Sequence, residues 1–290
     1  MKIPESALIA GCGYVGRRVA AIWRHRGMQV SVITRSASKA QDLRDEGVTP
    51  ILFDLAARVG PQQLPDVDVL LWSVGFDRTS GVSRQDIWIA GLQRLLDALP
   101  QRMEPRRILY TSSTSVYGDM HGQDVDENTQ PNPNSEGGLA CLAAEHLLRD
   151  YSQKNPAVVS VLRLAGIYGP HRLLRRIVDL QNGTPIMSLP DEWLNLIHVA
   201  DAAVAIDSIS QLESPPSLIN IVANQSSTRR QYYTALAALA NAPPPTFAEP
   251  ADLPPRSRGG HRRVISVVRN SLPIAFNYDT IADGLRDAYS

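Results

Sequence analysis

The fold of this chain is decided by the stretch Leu8-Ile9-Ala10-Gly11-Cys12-Gly13-Tyr14-Val15-Gly16. Its apolar start predicts a β-strand, its glycines predict a turn, and the helical period that follows predicts a helix up to Gly27. Gly11 permits a tight turn, Gly13 lets a ligand approach the backbone, and Gly16 lets the helix pack on the strand. The stretch therefore predicts the strand-turn-helix unit that holds a dinucleotide pyrophosphate at a helix N-terminus.

The same alternation continues to Leu164. Strands are predicted at Leu8–Ala10, Gln29–Thr34, Thr49–Phe53, Val67–Val74, Arg107–Thr111 and Val158–Leu164. Helices are predicted at Tyr14–Gly27, Ser38–Glu46, Ser83–Leu99 and Ser135–Gln153. Because several strands are apolar along most of their length, helices should cover both faces of the sheet. The pattern predicts an α/β fold with a Rossmann-type, doubly wound parallel sheet.

The character of the sequence changes after Gly169. Turn signals become denser, helices become shorter, and a proline-rich loop covers Ala242–Arg258. We therefore predict a nucleotide-binding domain over residues 1–168 and a smaller C-terminal α+β substrate lobe over residues 169–290. Some segments of this lobe are expected to return to the first domain, with the substrate cleft at the carboxyl edge of the sheet.

Composition limits the classes of partner. Lys and Arg number 29, as do Asp and Glu, so no net charge attracts nucleic acid or an anionic membrane. No apolar run approaches the roughly 20 residues of a membrane span, and the first apolar run is too short for a signal peptide. Two distant cysteines, Cys12 and Cys141, resemble no disulfide framework or metal motif. We expect a cytoplasmic protein that binds a small molecule and no metal.

The end of the second predicted strand indicates the cofactor. A site for NAD usually offers a carboxylate about 20 residues after the glycine loop, where this chain has Arg35 and Ser36. A guanidinium at that point favours NADP(H), because it can bind the 2′-phosphate through paired hydrogen bonds. The alternative is a solvated surface arginine, and NAD then remains possible.

Four segments carry a resemblance to a known family. They are the glycine loop, Thr111–Gly118 (TSSTSVYG), Arg163–Pro170 (RLAGIYGP) and Asn195–Asp201 (NLIHVAD). Their order and spacing resemble the extended short-chain dehydrogenase/reductases, also called the NAD-dependent epimerase/dehydratase family, and the similarity covers nearly the whole chain. It implies an NAD(P)-binding fold and a monomer or a homodimer paired through two helices per subunit.

The resemblance also implies a catalytic Ser, a Tyr that exchanges the proton and a Lys four residues after the Tyr. Ser113 matches the Ser, but the Tyr and Lys positions fall at Gly137 and Cys141. The chain thus resembles an atypical branch of the family. Ser113 alternatively satisfies backbone groups at a strand end, and His121, Glu136 or His171 could replace the missing Tyr.

The remaining candidate residues follow from strand ends and from the resemblance. Cofactor contacts are expected from Gly11, Cys12, Gly13, Tyr14, Val15, Gly16, Arg35, Ser36, Asp54, Leu55, Ser73, Val74 and Gly75. Substrate contacts are expected from Tyr168, His171 and Arg172, although Tyr168 also suits a packing role and Arg172 a solvated helix face.

Two functions follow from these observations. The first is an NADP(H)-dependent oxidoreductase, epimerase or dehydratase acting on a sugar, a sugar nucleotide or a similar hydroxylated metabolite. The second is an NADP(H)-binding sensor or scaffold that has lost catalysis. The retained Ser113 favours the first, and the absent Tyr and Lys favour the second.

Overall fold

A computed structural model describes residues 3–57, 64–172, 174–253, 260–278 and 280–289. Its first elements are β1 Ser6–Ala10, α1 Gly16–His25, β2 Gln29–Thr34, α2 Ala37–Asp45, β3 Thr49–Leu52, β4 Val69–Trp72, a π-helix Gln85–Ala90, α3 Gly91–Asp97, β5 Arg106–Ser113, β6 Asp124–Val125, α4 Glu136–Lys154 and β7 Ala157–Leu164. They are followed by β8 Gly166–Tyr168, α5 Leu174–Gln181, β9 Trp193–Leu194, β10 Leu196–His198, α6 Val199–Gln211, β11 Leu218–Ile221, β12 Ser227–Thr228, α7 Arg229–Leu239, β13 Arg263–Val264 and α8 Ile281–Tyr289.

The central element is a seven-stranded sheet in the order β11-β7-β5-β4-β1-β2-β3. Strand β1 pairs in parallel with both β2 and β4, so the chain order reverses on either side of it. All four residues of Val69–Trp72 are buried, as expected for a strand covered on both faces. The predicted α/β fold with a doubly wound sheet is confirmed.

Most predicted elements of the first half are present, with ends that differ by a few residues. Gly27 and Gly47 follow α1 and α2 with φ of 82° and 73°, the left-handed geometry that favours glycine after a helix. The third predicted helix differs in kind, because residues Gln85–Ala90 form a π-helix before α3 begins. Apolar spacing locates a helix but does not resolve this local widening.

The chain divides into two compact units. One comprises Met1–Ser113, Glu136–Arg163 and Ala203–Ile219, and the other comprises Thr114–Ser135, Leu164–Ala202 and Asn220–Ser290. The division of labour between residues 1–168 and 169–290 stays a prediction. The end of the predicted proline-rich loop, residues 254–258, lies outside the described residues.

The second unit has its own core. Two-stranded pairings join β10 to β8, β12 to β9 and β13 to β6. Helices α7 and α8 pack together around Leu236 and Leu285, both fully buried. Thr228 begins α7 with a capping box in which its side chain and that of Gln231 satisfy each other's backbone N–H groups. Within the described ranges, no helix is both long and apolar enough to cross a membrane.

Candidate active site

The glycine loop after β1 has the geometry that its sequence predicts. Gly11 has a φ of 91°, and a Cβ there would lie 2.5 Å from the backbone of Ser73 and Val74. A Cβ on Gly16 would collide with the carbonyl oxygen of Gly11. The Ser73 hydroxyl donates to that same carbonyl at 2.7 Å and ties the loop to the end of β4. Both glycines are therefore required by backbone contacts, Gly16 within the loop and Gly11 with the residues that follow β4.

Gly13 differs from its neighbours because a Cβ there would meet nothing within 4 Å. Its exposed backbone lines a cavity of about 440 Å³ at the carboxyl ends of β1, β2 and β4. The open space above the backbone is where the fold places a pyrophosphate, against the start of α1. The residues present fit a dinucleotide, since a side chain at position 13 would fill the space a phosphate needs.

The cavity brings together most of the predicted cofactor residues. They are Gly11, Cys12, Gly13, Arg35, Ser36, Asp54, Leu55, Ser73, Val74 and Gly75. Tyr14, Val15 and Gly16 do not line it: Val15 and Gly16 are buried, and the Tyr14 ring packs under the Arg18 guanidinium. For these three residues, the predicted cofactor contact would have to be made by the backbone of the loop.

Further lining residues were not predicted from sequence. They are Arg17, Ile33, Thr34, Lys39, Leu43, Phe53, Phe76, Asp77, Ser80 and Ile87. Arg17 and Lys39 are exposed; Arg17 directly follows the glycine loop, and Lys39 lies one helical turn after Arg35 and Ser36. These positions were the available signal, because residues in the first turn of a helix can face the same ligand as the loop that precedes it.

Arg35 lies at the end of the cavity beyond β2. Its Nη2 is 3.0 Å from an Asp77 carboxylate oxygen, and both side chains are about half exposed. Ser36 begins α2, where its hydroxyl accepts a hydrogen bond from the Lys39 backbone N–H. Two hydrogen bonds from Thr79, and then Arg35, hold the pKa of Asp77 below its ordinary value. The guanidinium is thus paired with a carboxylate. An incoming phosphate would have to displace this carboxylate or share the guanidinium with it.

Cys12 does not have the reactive environment that a helix N-terminus can create. Burial raises the pKa of its thiol to about 11, while the Arg17 charge opposes the rise and that of Glu46 adds to it. The thiol is therefore almost wholly protonated at neutral pH. This favours the packing role that its position in the loop also suggests.

Ser113 ends β5 and is half-buried, so a hydroxyl is present at the carboxyl edge of the sheet. The helix that should carry the Tyr and Lys instead has Gly137 and Cys141 in its first two turns. Burial, together with the nearby Glu145 charge, raises the pKa of the Cys141 thiol to about 11. Neither residue can exchange a proton near neutral pH, so α4 does not supply the Tyr and Lys that the resemblance implies.

A buried charge cluster lies one turn further along α4. Glu145 accepts two hydrogen bonds from the Arg163 guanidinium, at 3.1 and 2.7 Å, and one from the Ser112 hydroxyl at 2.6 Å. Both charged side chains are only 4% exposed. A carboxylate so fully engaged fixes α4 against β5 and β7.

At the first turn of α4, Glu136 forms an ion pair that the sequence did not predict. Its Oε2 lies 2.6 Å from Nη1 of Arg84, which precedes the π-helix. The Arg84 guanidinium also stacks on Phe76, with its central carbon 4.0 Å from the ring centroid. A cation therefore lies beside Gly137, the position at which the family Tyr is missing.

The second unit buries Tyr117, Tyr168 and His198 as packing residues, and of these only Tyr168 was a predicted substrate contact. Tyr117 is fully buried and its hydroxyl donates to the Asn220 side chain at 2.9 Å. Tyr168 is 4% exposed and packs edge-on against His198, which itself is 2% exposed. Its hydroxyl occupies the space that a side chain on Gly284 would fill. Tyr168 is therefore almost wholly buried, which favours the packing role allowed by its sequence, and its substrate contact stays a prediction.

The other predicted substrate and acid-base candidates are exposed. His171 and Arg172 follow β8 on the surface of the second unit, and His171 has a φ of 66°. His121 is also exposed, with a φ of 50°. Their substrate roles stay predictions. Throughout the described segments, no group of three or more His, Cys, Asp or Glu side chains is placed to hold a metal ion.

The fold and this cavity define a dinucleotide-binding protein of the doubly wound class. Residues 7–221 match the NAD dependent epimerase/dehydratase family. The chain belongs to that family, and the resemblance inferred from its motifs is confirmed.

Relatives of known sequence agree with this assignment. Protein YeeZ of Escherichia coli (strain K12) is 29% identical over 94% of this chain and 96% of YeeZ. A dTDP-L-rhamnose 4-epimerase of Burkholderia thailandensis is 26% identical over 54% of this chain and 55% of that protein. The chain is thus similar to proteins of the epimerase type, and an NAD(P)-dependent enzyme is the function class of its family.

Solved structures match over almost the full length. A functionally unknown conserved protein from Silicibacter pomeroyi has a TM-score of 0.75 at 25% identity, covering 97% of each chain. The UDP-glucuronic acid 4-epimerase of Bacillus cereus in complex with NAD has a TM-score of 0.76 at 19% identity, covering 98% of this chain and 97% of that one. At that identity the second likeness establishes the fold alone.

Proposed function

We propose that this protein binds NADP(H) and uses it as an oxidoreductase, epimerase or dehydratase acting on a sugar, a sugar nucleotide or a similar hydroxylated metabolite. The observation that carries the proposal is the cavity in which the open Gly13 backbone and the Arg35 guanidinium line one continuous space. When bound, the cofactor would supply hydride transfer, and the chain would supply binding and orientation.

The chain's own residues account for the recognition of the cofactor. The loop at Gly11–Gly16 would bind the pyrophosphate through backbone N–H groups, and Asp54 would accept from the adenine amine. Arg35 would hold the 2′-phosphate, with the exposed Arg17 and Lys39 adding positive charge along the same cavity. The three cations would favour NADPH over NADH without any excess of charge over the whole chain.

The cofactor preference is tested by exchanging the charge at Arg35. In Arg35→Asp we expect the Kd for NADPH to rise by about 10- to 100-fold, because a charged hydrogen bond to phosphate is lost. The Kd for NADH should stay level or fall, since the new carboxylate can accept from ribose hydroxyls. Isothermal titration calorimetry with each cofactor measures both values.

Asp77→Asn is the matched control for that exchange. It removes the carboxylate now paired with Arg35 and keeps its size, so NADPH affinity should increase while NADH affinity is unchanged. An Arg35→Asp protein that binds NADPH as tightly as the native protein would refute the assignment of the 2′-phosphate to Arg35.

A catalytically silent NADP(H)-binding sensor or scaffold is the second candidate function. The specific observation in its favour is that Gly137 and the protonated, buried Cys141 replace the expected proton-transfer pair. Ser113 and its position at the end of β5 favour the enzyme.

One experiment separates the two candidates. Purified protein is mixed with NADPH or NADP⁺ and a panel of carbonyl compounds, polyols and sugar nucleotides, and the reduced cofactor is followed at its absorbance band. Chromatographic analysis of the products detects an epimerase, which regenerates its cofactor. Turnover that is abolished in Ser113→Ala supports the enzyme, while tight NADPH binding without any product supports the sensor.

The proposal also includes a compartment, a partner and an oligomeric state. Cys12 and Cys141 are both free thiols, which suits a reducing, cytoplasmic compartment. The proposed partner is a small-molecule substrate, and light scattering distinguishes a monomer from a homodimer.

A further inference from the structure

Arg84 is held in an unusual position at the start of a helix. It immediately precedes the π-helix Gln85–Ala90, a form that is rare overall and frequent at functional sites. Its guanidinium carbon lies 4.0 Å from the ring centroid of Phe76 and 5.8 Å from that of Trp88. Two aromatic rings thus fix the direction in which the guanidinium points.

The hydrogen bonds of Arg84 are incomplete. Its Nη1 is satisfied by the Glu136 carboxylate at 2.6 Å. Its Nε is buried and has no hydrogen-bond partner among the residues that the structure describes. A buried donor without an acceptor is costly, and such atoms in native structures point to a ligand or an ordered water.

The unpartnered Nε lies beside a position without a side chain. A Cβ built on Gly137 would lie 3.8 Å from this nitrogen, and outside the adjoining turn of α4 no other atom of the described residues would lie within 4 Å of it. Any larger residue at position 137 would project into the space next to Nε. The first turn of α4 therefore leaves room for a ligand atom beside the unpartnered Nε of Arg84.

This space lies on the side of the sheet where the second half of a dinucleotide extends. Arg35 and the end of β2 lie on one side of β1, and a dinucleotide bound at this reversal of strand order would extend its other half toward β4 and β5. Phe76, which carries the Arg84 guanidinium, follows β4 and lines the cofactor cavity. Helix α4, which carries Glu136 and Gly137, packs against β5.

We propose that Arg84 binds the nicotinamide ribose of the cofactor, with Nε–H donating to a ribose hydroxyl while Glu136 holds the other side of the guanidinium. Arg84 is thus a cofactor-binding residue, supplied by the position before the π-helix instead of by α4, where Cys141 is buried. This inference rests on the proposed function, because it requires that the cavity bind a nicotinamide dinucleotide.

A pair of ligands tests the inference without any need for turnover. NADPH contains both halves of the cofactor, whereas 2′,5′-ADP contains the phosphorylated adenosine half and no nicotinamide ribose. In Arg84→Met, which keeps most of the apolar stem, we expect the Kd for NADPH to rise by about 10-fold through loss of one charged hydrogen bond. The Kd for 2′,5′-ADP should equal that of the native protein.

Two further variants serve as controls. Arg149→Met removes an exposed arginine from α4 and should change neither Kd. Arg84→Lys keeps the charge but loses the planar donor group, and should weaken NADPH binding selectively as well. If Arg84→Met has no cooperative thermal transition, the Arg84→Lys comparison decides the question.

The possible results separate this inference from the proposed function. Equal loss of affinity for both ligands in the Arg84 variants would indicate general damage to the cavity and overturn the inference, as would unchanged NADPH affinity. A native protein that binds neither NADPH nor 2′,5′-ADP would refute the proposed function and the inference together. A native protein that binds both, with Arg84 variants weakened for NADPH only, supports both.

Discussion

The glycine loop after β1 and the first turn of α4 both omit side chains, but for different physical reasons. At Gly11 and Gly16 a Cβ would collide with the backbone of the loop or of β4, so the glycines are fixed by the chain itself. At Gly137 a Cβ would approach the Nε of Arg84 at 3.8 Å, so the glycine leaves a space beside that nitrogen. The role of a glycine that is required by backbone contacts can be predicted from a local sequence motif. The role of a glycine that leaves space for a ligand can be recognised only when the residue on the other side of that space is known.

The largest expected effect is at Gly11. In Gly11→Ala the backbone would hold alanine at a φ of 91° with its Cβ 2.5 Å from three backbone atoms. Strain and overpacking together should lower the free energy of unfolding by about 4 kcal/mol or more. Urea denaturation followed by circular dichroism measures the loss, and NADPH binding should disappear with it.

Gly13→Ala is the matched control within the same loop. Its Cβ has open space and its φ is not positive, so stability should stay within about 1 kcal/mol of the native value. NADPH affinity alone should fall, because the new methyl group occupies the space proposed for the pyrophosphate. Equal stability of the Gly11→Ala and native proteins would contradict this account of the loop.

The next largest effect concerns the buried charges of α4. Glu145→Gln removes the negative charge that Arg163 and Ser112 bind, and leaves a guanidinium that is 4% exposed without its counter-charge. We expect the free energy of unfolding to fall by about 3–5 kcal/mol. Chemical denaturation at pH 7 measures this change.

Glu136→Gln provides the comparison on the same helix. Its carboxylate is 72% exposed and pairs with Arg84, so the free energy of unfolding should change by less than about 1 kcal/mol. Similar losses in the two variants would show that exposure does not separate the roles of these two carboxylates.

The smallest expected effect is on the alkylation rates of two cysteines, Cys12 in the glycine loop and Cys141 in α4. Burial raises the pKa of both thiols from 9.0 to about 11, so at pH 8 the reactive thiolate is about 100-fold scarcer than in a free cysteine. Alkylation by iodoacetamide should be slow at pH 8 and accelerate about tenfold per pH unit until near pH 11. Mass spectrometry of the Cys12→Ser and Cys141→Ser proteins follows each thiol separately.

NADPH should distinguish the two thiols. Cys12 lines the cavity and is partly exposed, so the cofactor should protect it. Cys141 is 5% exposed and should react more slowly, at a rate that the cofactor does not change. Protection of Cys141 alone would place the bound cofactor away from the glycine loop.

Much of the first unit could be predicted from sequence because its information is local. The glycine loop, the apolar strands and the glycines that end α1 and α2 each specify their structure within a few residues. The sequence likewise identified Arg35 at the end of β2, since the interval from the loop to this position is set by one helix and one strand.

The environment of the candidate site could not be predicted, because it depends on pairs that are distant in sequence. Arg84 meets Glu136 across 52 positions, and Arg35 meets Asp77 across 42. The position of Tyr168 beside a turn predicts a substrate contact, but its hydroxyl packs against Gly284 in α8, near the end of the chain. Neither the spacing of apolar residues nor the amino-acid composition indicates which distant side chains pair.

The last strand of the sheet has a consequence for biosynthesis. Residues 218–221 form β11, which covers the edge of β7, so that edge stays unpaired until more than fifty further residues have left the ribosome. Within the same unit, Arg107 hydrogen-bonds the Ser210 carbonyl and Arg26 pairs with Asp207, and these partners also arrive late. Open strand edges invite intermolecular pairing. A nascent chain stopped shortly after β7 should therefore depend on chaperones and be prone to aggregation.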